Sequence, residues 1–217
     1  MANDMNMLVQ KKHAPATLRN RKPILAVLKD YLPKHGTILE IASGSGEHAS
    51  YFVQHLPNHY WQPSDPDEKS RDSISAWWWE IQLNNILPPL NIAAQDDVWS
   101  IENIKSPLPV TAIVCINMTH ISPWTSSIGL FKGAARILPE DGILYLYGPY
   151  KIDGEHTAPS NEQFDKNLRS QNPEWGIRNL NDIKDLARQN GLSLIKTIPM
   201  PANNLSVIFK KDETQKP

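Results

Sequence analysis

The stretch Ile38–Ala49, ILEIASGSGEHA, constrains the fold of this chain more than any other. Its apolar half carries one glutamate, Gly44 and Gly46 bracket a serine, and Glu47-His48-Ala49 opens a segment of helical character. A strand that runs through a glycine turn straight into a helix is half of a β-α-β unit. Such units build parallel sheets covered by helices on both faces. The glycines have a physical use there, because a backbone without Cβ takes positive φ readily and lets a ligand come close. Gly44, Gly46 and Ala49 match the dinucleotide pattern G-x-G-x-x-G/A. Read from Glu40 onward, the same loop also suits the looser acidic–Gly–Gly turn that holds S-adenosylmethionine.

The rest of the chain repeats the alternation of apolar and amphipathic segments. Seven strands are expected: Thr37–Ala42, His59–Ser64, Leu90–Ala94, Val110–Asn117, Gly142–Gly148, Leu192–Ile198 and Leu205–Lys210. The fourth, VTAIVCIN, is almost continuously apolar, as a central strand covered on both faces should be. Helices are expected at Pro23–Tyr31, Glu47–Leu56, Asp67–Asn84, Ser122–Leu138, Asn161–Ser170 and Asp182–Asn190. Pro199–Asn204 is too short to hold a crossover helix, so the last two strands pair antiparallel. The expected fold is therefore α/β: a Rossmann-like seven-stranded, mostly parallel sheet with a C-terminal antiparallel hairpin. One domain over residues 13–210 accounts for it, between a flexible N-terminus (1–12) and a flexible tail (211–217).

Composition narrows the partners. A net charge of −1 gives no electrostatic reason to expect nucleic acid or an anionic membrane. The apolar runs are strand-length, short of the roughly 20 residues that span a bilayer. Cys115 is the only cysteine and MANDMNMLVQKK lacks an apolar signal core, so a cytoplasmic protein is expected. Trp77-Trp78-Trp79 cannot all face the core of one helix, so one is expected at the surface, where a homodimer contact is an option.

Open α/β sheets bind ligands outside the carboxyl ends of their strands. Glu40 is placed there to meet a ligand ammonium, beside Gly44 and Gly46. Asp65 follows the second strand roughly 20 residues past Gly46, the spacing of a carboxylate that reads ribose hydroxyls. Asp96 and Asp97 follow the third strand. The carboxylate of Asp65 suits both NAD and S-adenosylmethionine. The third acidic strand end, the closing hairpin and the little chain left for a separate substrate domain favour the second.

In that outline the sequence resembles the class I S-adenosylmethionine-dependent methyltransferases. The resemblance implies that Asp97 and the Val98 N–H meet the adenine, and that Asn117 at the end of the fourth strand lies at the cofactor. It also exposes a departure, since Ala42 stands where many of these enzymes have a third glycine. The motifs RNRKPIL, NMTHISPW, SNEQFDKNLR, WGIRNL and PANN extend the likeness to one family of methyltransferase-like proteins of unknown function, found in bacteria and animals. It covers about Arg19 to Lys210 and implies that Arg19 and Asn20 fold over the cofactor.

His120 is the expected general base, because imidazole titrates near neutral pH and the fourth strand ends where a methyl group is presented. Tyr150 and His156, in the polar connection PYKIDGEHTAP, and Asn203 and Asn204 in PANN are candidate contacts to a small-molecule methyl acceptor. No metal site is expected: His55 and His59 are separated by Pro57, which breaks a shared helical face. A P-loop and a nucleophile elbow are also missing. Two other functions stay open, a catalytically silent S-adenosylmethionine-binding protein acting through partners and an NAD-dependent oxidoreductase.

Overall fold

A computed structural model describes residues 11–213. Residues 1–10 and 214–217, most of the two terminal segments expected to be flexible, lie outside the described residues. The chain runs α1 (Pro15–Tyr31), β1 (Gly36–Ile41), α2 (Glu47–Val53), β2 (His59–Pro63), α3 (Glu68–Ile81), β3 (Val110–Ile116), α4 (Trp124–Ile137) and β4 (Ile143–Gly148). It continues with a small hairpin, β5 (Lys151–Ile152) and β6 (Glu155–His156). After it come α5 (Pro159–Gln171), α6 (Leu180–Gln189), β7 (Leu192–Met200) and β8 (Asn204–Lys211). The main sheet has the order β2-β1-β3-β4-β8-β7. Its first four strands are parallel, and β8 lies antiparallel between β4 and β7.

The sheet thus has six strands rather than the expected seven, because Leu90–Ala94 does not form one. The segment before it does run beside β2, with Trp61 N–H donating to Asn85 O and Leu87 N–H to Trp61 O. Those two bonds make the isolated bridge of Trp61 with Ile86. A second, Ser64 with Leu90, is made by Leu90 N–H to Pro63 O and Asp65 N–H to Leu90 O, and no continuous ladder joins them. Pro63 on one side and Pro88-Pro89 on the other offer no N–H, so a continuous ladder cannot form. Apolar residues in the segment still bury themselves, as Ile92 and Ala94 do.

Alternation along the strands splits the core into two layers. Leu39, Ile41, Ile113, Cys115, Leu144 and Leu146 face one layer, with Phe131 of α4 and Ile183 of α6. Ile38, Ala112, Val114, Tyr145 and Ile208 face the other, with Ile24 of α1 and Phe52 of α2. The first helix begins at Pro15, earlier than the expected Pro23, which sits inside it. Proline is well placed as Pro15 at a helix start, where its missing N–H is an orphan in any case. That early start carries α1 to the carboxyl end of the sheet. On α3, Trp77 and Trp78 are half-buried while Trp79 is 70% exposed. Among the described residues no helix is long and apolar enough to cross a membrane.

Trp99 locks the loop after β2 and α3 onto α4. Its ring packs on the backbone of Gly133, where a Cβ would lie 2.2–2.6 Å from the indole carbons. Gly133→Ala is expected to lower stability by about 2 kcal/mol, overpacking outweighing the better helix propensity. A fall in the urea midpoint at unchanged m-value checks this.

Candidate cofactor site

The carboxyl ends of β1, β2 and β3, together with the start of α1, enclose a cavity of about 340 Å³. Glu40, Ala42, Ser43, Gly44 and Ser45 come from β1 and its loop, His48 from α2 and Asp65 from the end of β2. Ile116, Asn117, Met118 and Ile121 close it beyond β3, and Ala14, Ala16 and Thr17 form the wall beside α1.

Asp65 shapes the floor. One carboxylate oxygen accepts from the Gly44 N–H at 2.9 Å and the other from the Asp67 N–H at 2.9 Å. Each oxygen keeps a second lone pair for a ligand. Burial raises the pKa of this carboxyl above the usual range, against the pull of those two bonds. The loop is stitched further by Ser43 N–H to Ser64 O at 2.8 Å and Ser64 Oγ to Glu40 O at 2.7 Å.

Glu40 is 1% exposed, and its carboxylate accepts from Trp61 Nε1 at 3.0 Å. Burial pushes its pKa up to about 7, with the nearby Asp65 adding to the rise. The side chain is thus about half protonated at neutral pH and ionises when a cation settles beside it.

The two glycines of the loop play different parts. Gly44 has φ +58, and a Cβ there would meet nothing within 4 Å, so the space above it is open. Gly46 has φ +86, but a Cβ there would lie 2.9 Å from the Ile74 backbone, so its smallness serves the approach of α3. Ala42 takes φ +57, the left-handed conformation that a glycine would adopt without strain. Asn117 does the same at φ +64, which its residue type tolerates better.

The wall at α1 is fastened from outside the cavity. Both carboxylate oxygens of Glu47 are engaged, by His13 Nδ1 at 3.0 Å and by the Ala14 N–H at 2.5 Å. Lys12 N–H donates to Ser73 Oγ at 2.7 Å and Lys12 Nζ reaches Asp67 at 3.2 Å.

The cavity brings together Glu40, Ala42, Gly44, Asp65 and Asn117. The other expected site residues lie apart from its lining. Asp97 is exposed and Val98 58% exposed, on a loop that no strand carries. Arg19 is exposed on α1, whereas Asn20 is buried and accepts a hydrogen bond from His48 Nε2 at 2.8 Å. His120 is 0% exposed and packs on Gly148 so closely that a Cβ there would lie 2.2 Å from Nε2. Its ring stands edge-on to the buried Tyr150, with centroids 5.0 Å apart. Burial, helped by Arg178, lowers the His120 pKa to about 3. His156 lies 3.4 Å from the Asp165 carboxylate. Asn203 O accepts from Asn161 Nδ2 of α5 at 3.0 Å, and Asn204 Nδ2 donates to Pro201 O at 3.0 Å within the turn. Sequence reasoning missed His48, although it stands in the first turn after the glycine loop. It missed Thr17 and its neighbours because the helix was expected to start at Pro23.

This mostly parallel sheet with its antiparallel edge is the mixed α/β, Rossmann-like fold of methyltransferases, and solved structures show the likeness. An O-methyltransferase family protein from Burkholderia thailandensis superposes with a TM-score of 0.74 at 15% identity, over 92% of this chain and 58% of that one. Human N-acetylserotonin methyltransferase in complex with S-adenosylmethionine gives 0.71 at 12% identity, over 91% and 53%. The calicheamicin-biosynthesis methyltransferase CalO1, in its S-adenosylhomocysteine-bound form, gives 0.69 at 13% identity, over 90% and 55%. This chain spans little more than half the length of those proteins. Residues 11–211 match the model of a family described as a protein of unknown function (DUF938), and the chain belongs to that family.

The strain at Ala42 has a direct consequence. Ala42→Gly is expected to raise stability by about 0.5–1 kcal/mol, the relief of a left-handed alanine exceeding the extra backbone entropy of glycine. Urea unfolding measures it, and an unchanged or lower midpoint contradicts it.

Proposed function

We propose that this protein is an S-adenosylmethionine-dependent methyltransferase acting on a small molecule. The observation that carries the reading is the charge of the cavity wall. Among the described residues, two carboxyl side chains, Glu40 and Asp65, line it, and no lysine or arginine does. Such a wall suits a cofactor bearing a sulfonium and an ammonium, and it repels the pyrophosphate of NAD. In this reading Asp65 receives the ribose hydroxyls on its free lone pairs, and Glu40 faces the ammonium. The open space over Gly44 admits the ligand backbone-close. The bound cofactor supplies an electrophilic methyl group; the chain supplies position and exclusion of water, with α1 closing one side. The three methyltransferase structures share the fold and support the reading at that level.

The burial of His120 favours one second reading, a protein that binds the cofactor without catalysis, since the expected base has no access to the cavity.

Two measurements test the first reading. Asp65→Asn keeps an acceptor for the Gly44 N–H but loses the charge, so it is expected to weaken S-adenosylhomocysteine binding about 10–100-fold with the circular dichroism unchanged. Unchanged affinity takes Asp65 out of the site. Binding is also expected to release up to about half a proton at pH 7. An ammonium beside Glu40 lowers a pKa that starts at about 7, and the carboxyl then gives up its proton. Calorimetry in two buffers of different ionisation enthalpy reads the release, which Glu40→Gln should abolish. Proton uptake by the native chain contradicts the assignment.

A further inference from the structure

Among the described residues, three titratable side chains line the cavity: Glu40, His48 and Asp65. Asp65 has both oxygens tied to backbone N–H groups, and Glu40 is held by Trp61. His48 differs. Its Nε2 is 2.8 Å from Asn20 Oδ1, a carbonyl oxygen that can only accept, so Nε2 carries the proton. Tyr147, at the end of β4, lies beside Asn20; burial raises the pKa of its hydroxyl and Asn20 acts against that rise. Phe52 stacks on the other side of the imidazole, with centroids 5.4 Å apart. Nδ1 is left with a free lone pair and no hydrogen-bond partner among the described residues, on a ring that lines the cavity.

Resting on the methyltransferase reading, we propose that His48, held by Asn20, is the general base, and that the acceptor is a neutral molecule methylated at a hydroxyl group. No lysine or arginine lines the cavity among the described residues, so nothing there holds an anionic acceptor, and the attacking oxygen arrives with its proton. In the step, the acceptor oxygen gains a methyl group from S-adenosylmethionine and loses its proton to Nδ1. One cation is lost at sulfur and one is gained on the imidazole, so the net charge of the cavity is unchanged. The imidazolium then returns its proton to water. Burial keeps the ring neutral and ready by lowering its pKa to about 4, with Arg21 of α1 acting in the same direction and the adjacent Glu47 against it. Glu40 and Asp65 are the other charged groups on the cavity. Asn20 is a positioning residue, since it reaches the acceptor only through His48.

The test uses the full chain in three parts. Nitrogen-15 spectra of the labelled imidazole should place the His48 proton on Nε2 at pH 7, and S-adenosylhomocysteine should perturb Nδ1. His48→Gln should bind S-adenosylhomocysteine within about 3-fold of the native chain. It should lose at least about 100-fold in transfer of labelled methyl from S-adenosylmethionine to solvent-extractable ethers, with a protein-free metabolite extract as acceptor mixture. Asn20→Asp keeps an acceptor for Nε2 and adds a charge, so the acid limb of the transfer rate should move up by more than one pH unit from about 4. A proton on Nδ1, undiminished transfer by His48→Gln, or an unmoved acid limb overturns this proposal and leaves the cofactor assignment standing. Loss of S-adenosylhomocysteine binding by the native chain overturns the parent reading and this one together. So does an absence of label transfer by a native chain that binds normally, which supports the silent binder instead.

Discussion

The hydrogen bond between the Asp65 carboxylate and the Gly44 N–H is the interaction on which the site depends. It ties the end of β2 to the turn after β1, and the same carboxylate fixes the Asp67 N–H where α3 begins. The turn it holds places Ala42 at positive φ and keeps the space over Gly44 clear. The Ser43–Ser64 pair repeats the stitch one residue earlier on each side. Without these crossings the glycine turn would lie free of β2, and the cavity would lose its floor.

A second constraint comes from the chain before the first strand. Glu47 spends both carboxylate oxygens on His13 and Ala14, which brings the start of α1 against the mouth of the cavity. The wall and the floor are thus each held by a buried carboxylate that accepts from backbone N–H groups, Glu47 for the wall and Asp65 for the floor.

Much of this was legible in the sequence. The glycine turn, the apolar β3 and the short Pro199–Asn204 link specify the strand directions, and Glu40, Gly44, Asp65 and Asn117 do converge on one cavity. The failures have local causes. Leu90–Ala94 has the apolar content of a strand, but prolines on both sides of the pairing remove the N–H groups a ladder needs. Asp97 and Val98 then lose the strand that was to carry them to the site. Gly46 matches a ligand-approach motif, yet its Cβ position is occupied by α3. Spacing alone cannot tell these uses apart. The two histidines show the same limit: His120 sits at a strand end and is sealed behind Gly148 and Tyr150, whereas His48 lies on the cavity with one ring nitrogen committed. A motif gives the chain position of an imidazole, and only packing decides whether its lone pair meets a ligand.

Charge joins these observations into one account. A cavity walled, among the described residues, by two carboxyls and a neutral imidazole, with no lysine or arginine, is complementary to a cation and to an uncharged acceptor. The most direct measurement is the crystal structure of the full chain grown with S-adenosylhomocysteine. The account predicts the ribose hydroxyls within hydrogen-bonding distance of Asp65, the ammonium facing Glu40 and the amino-acid arm passing over Gly44. Ligand density outside this cavity, or a ribose turned away from Asp65, would contradict it.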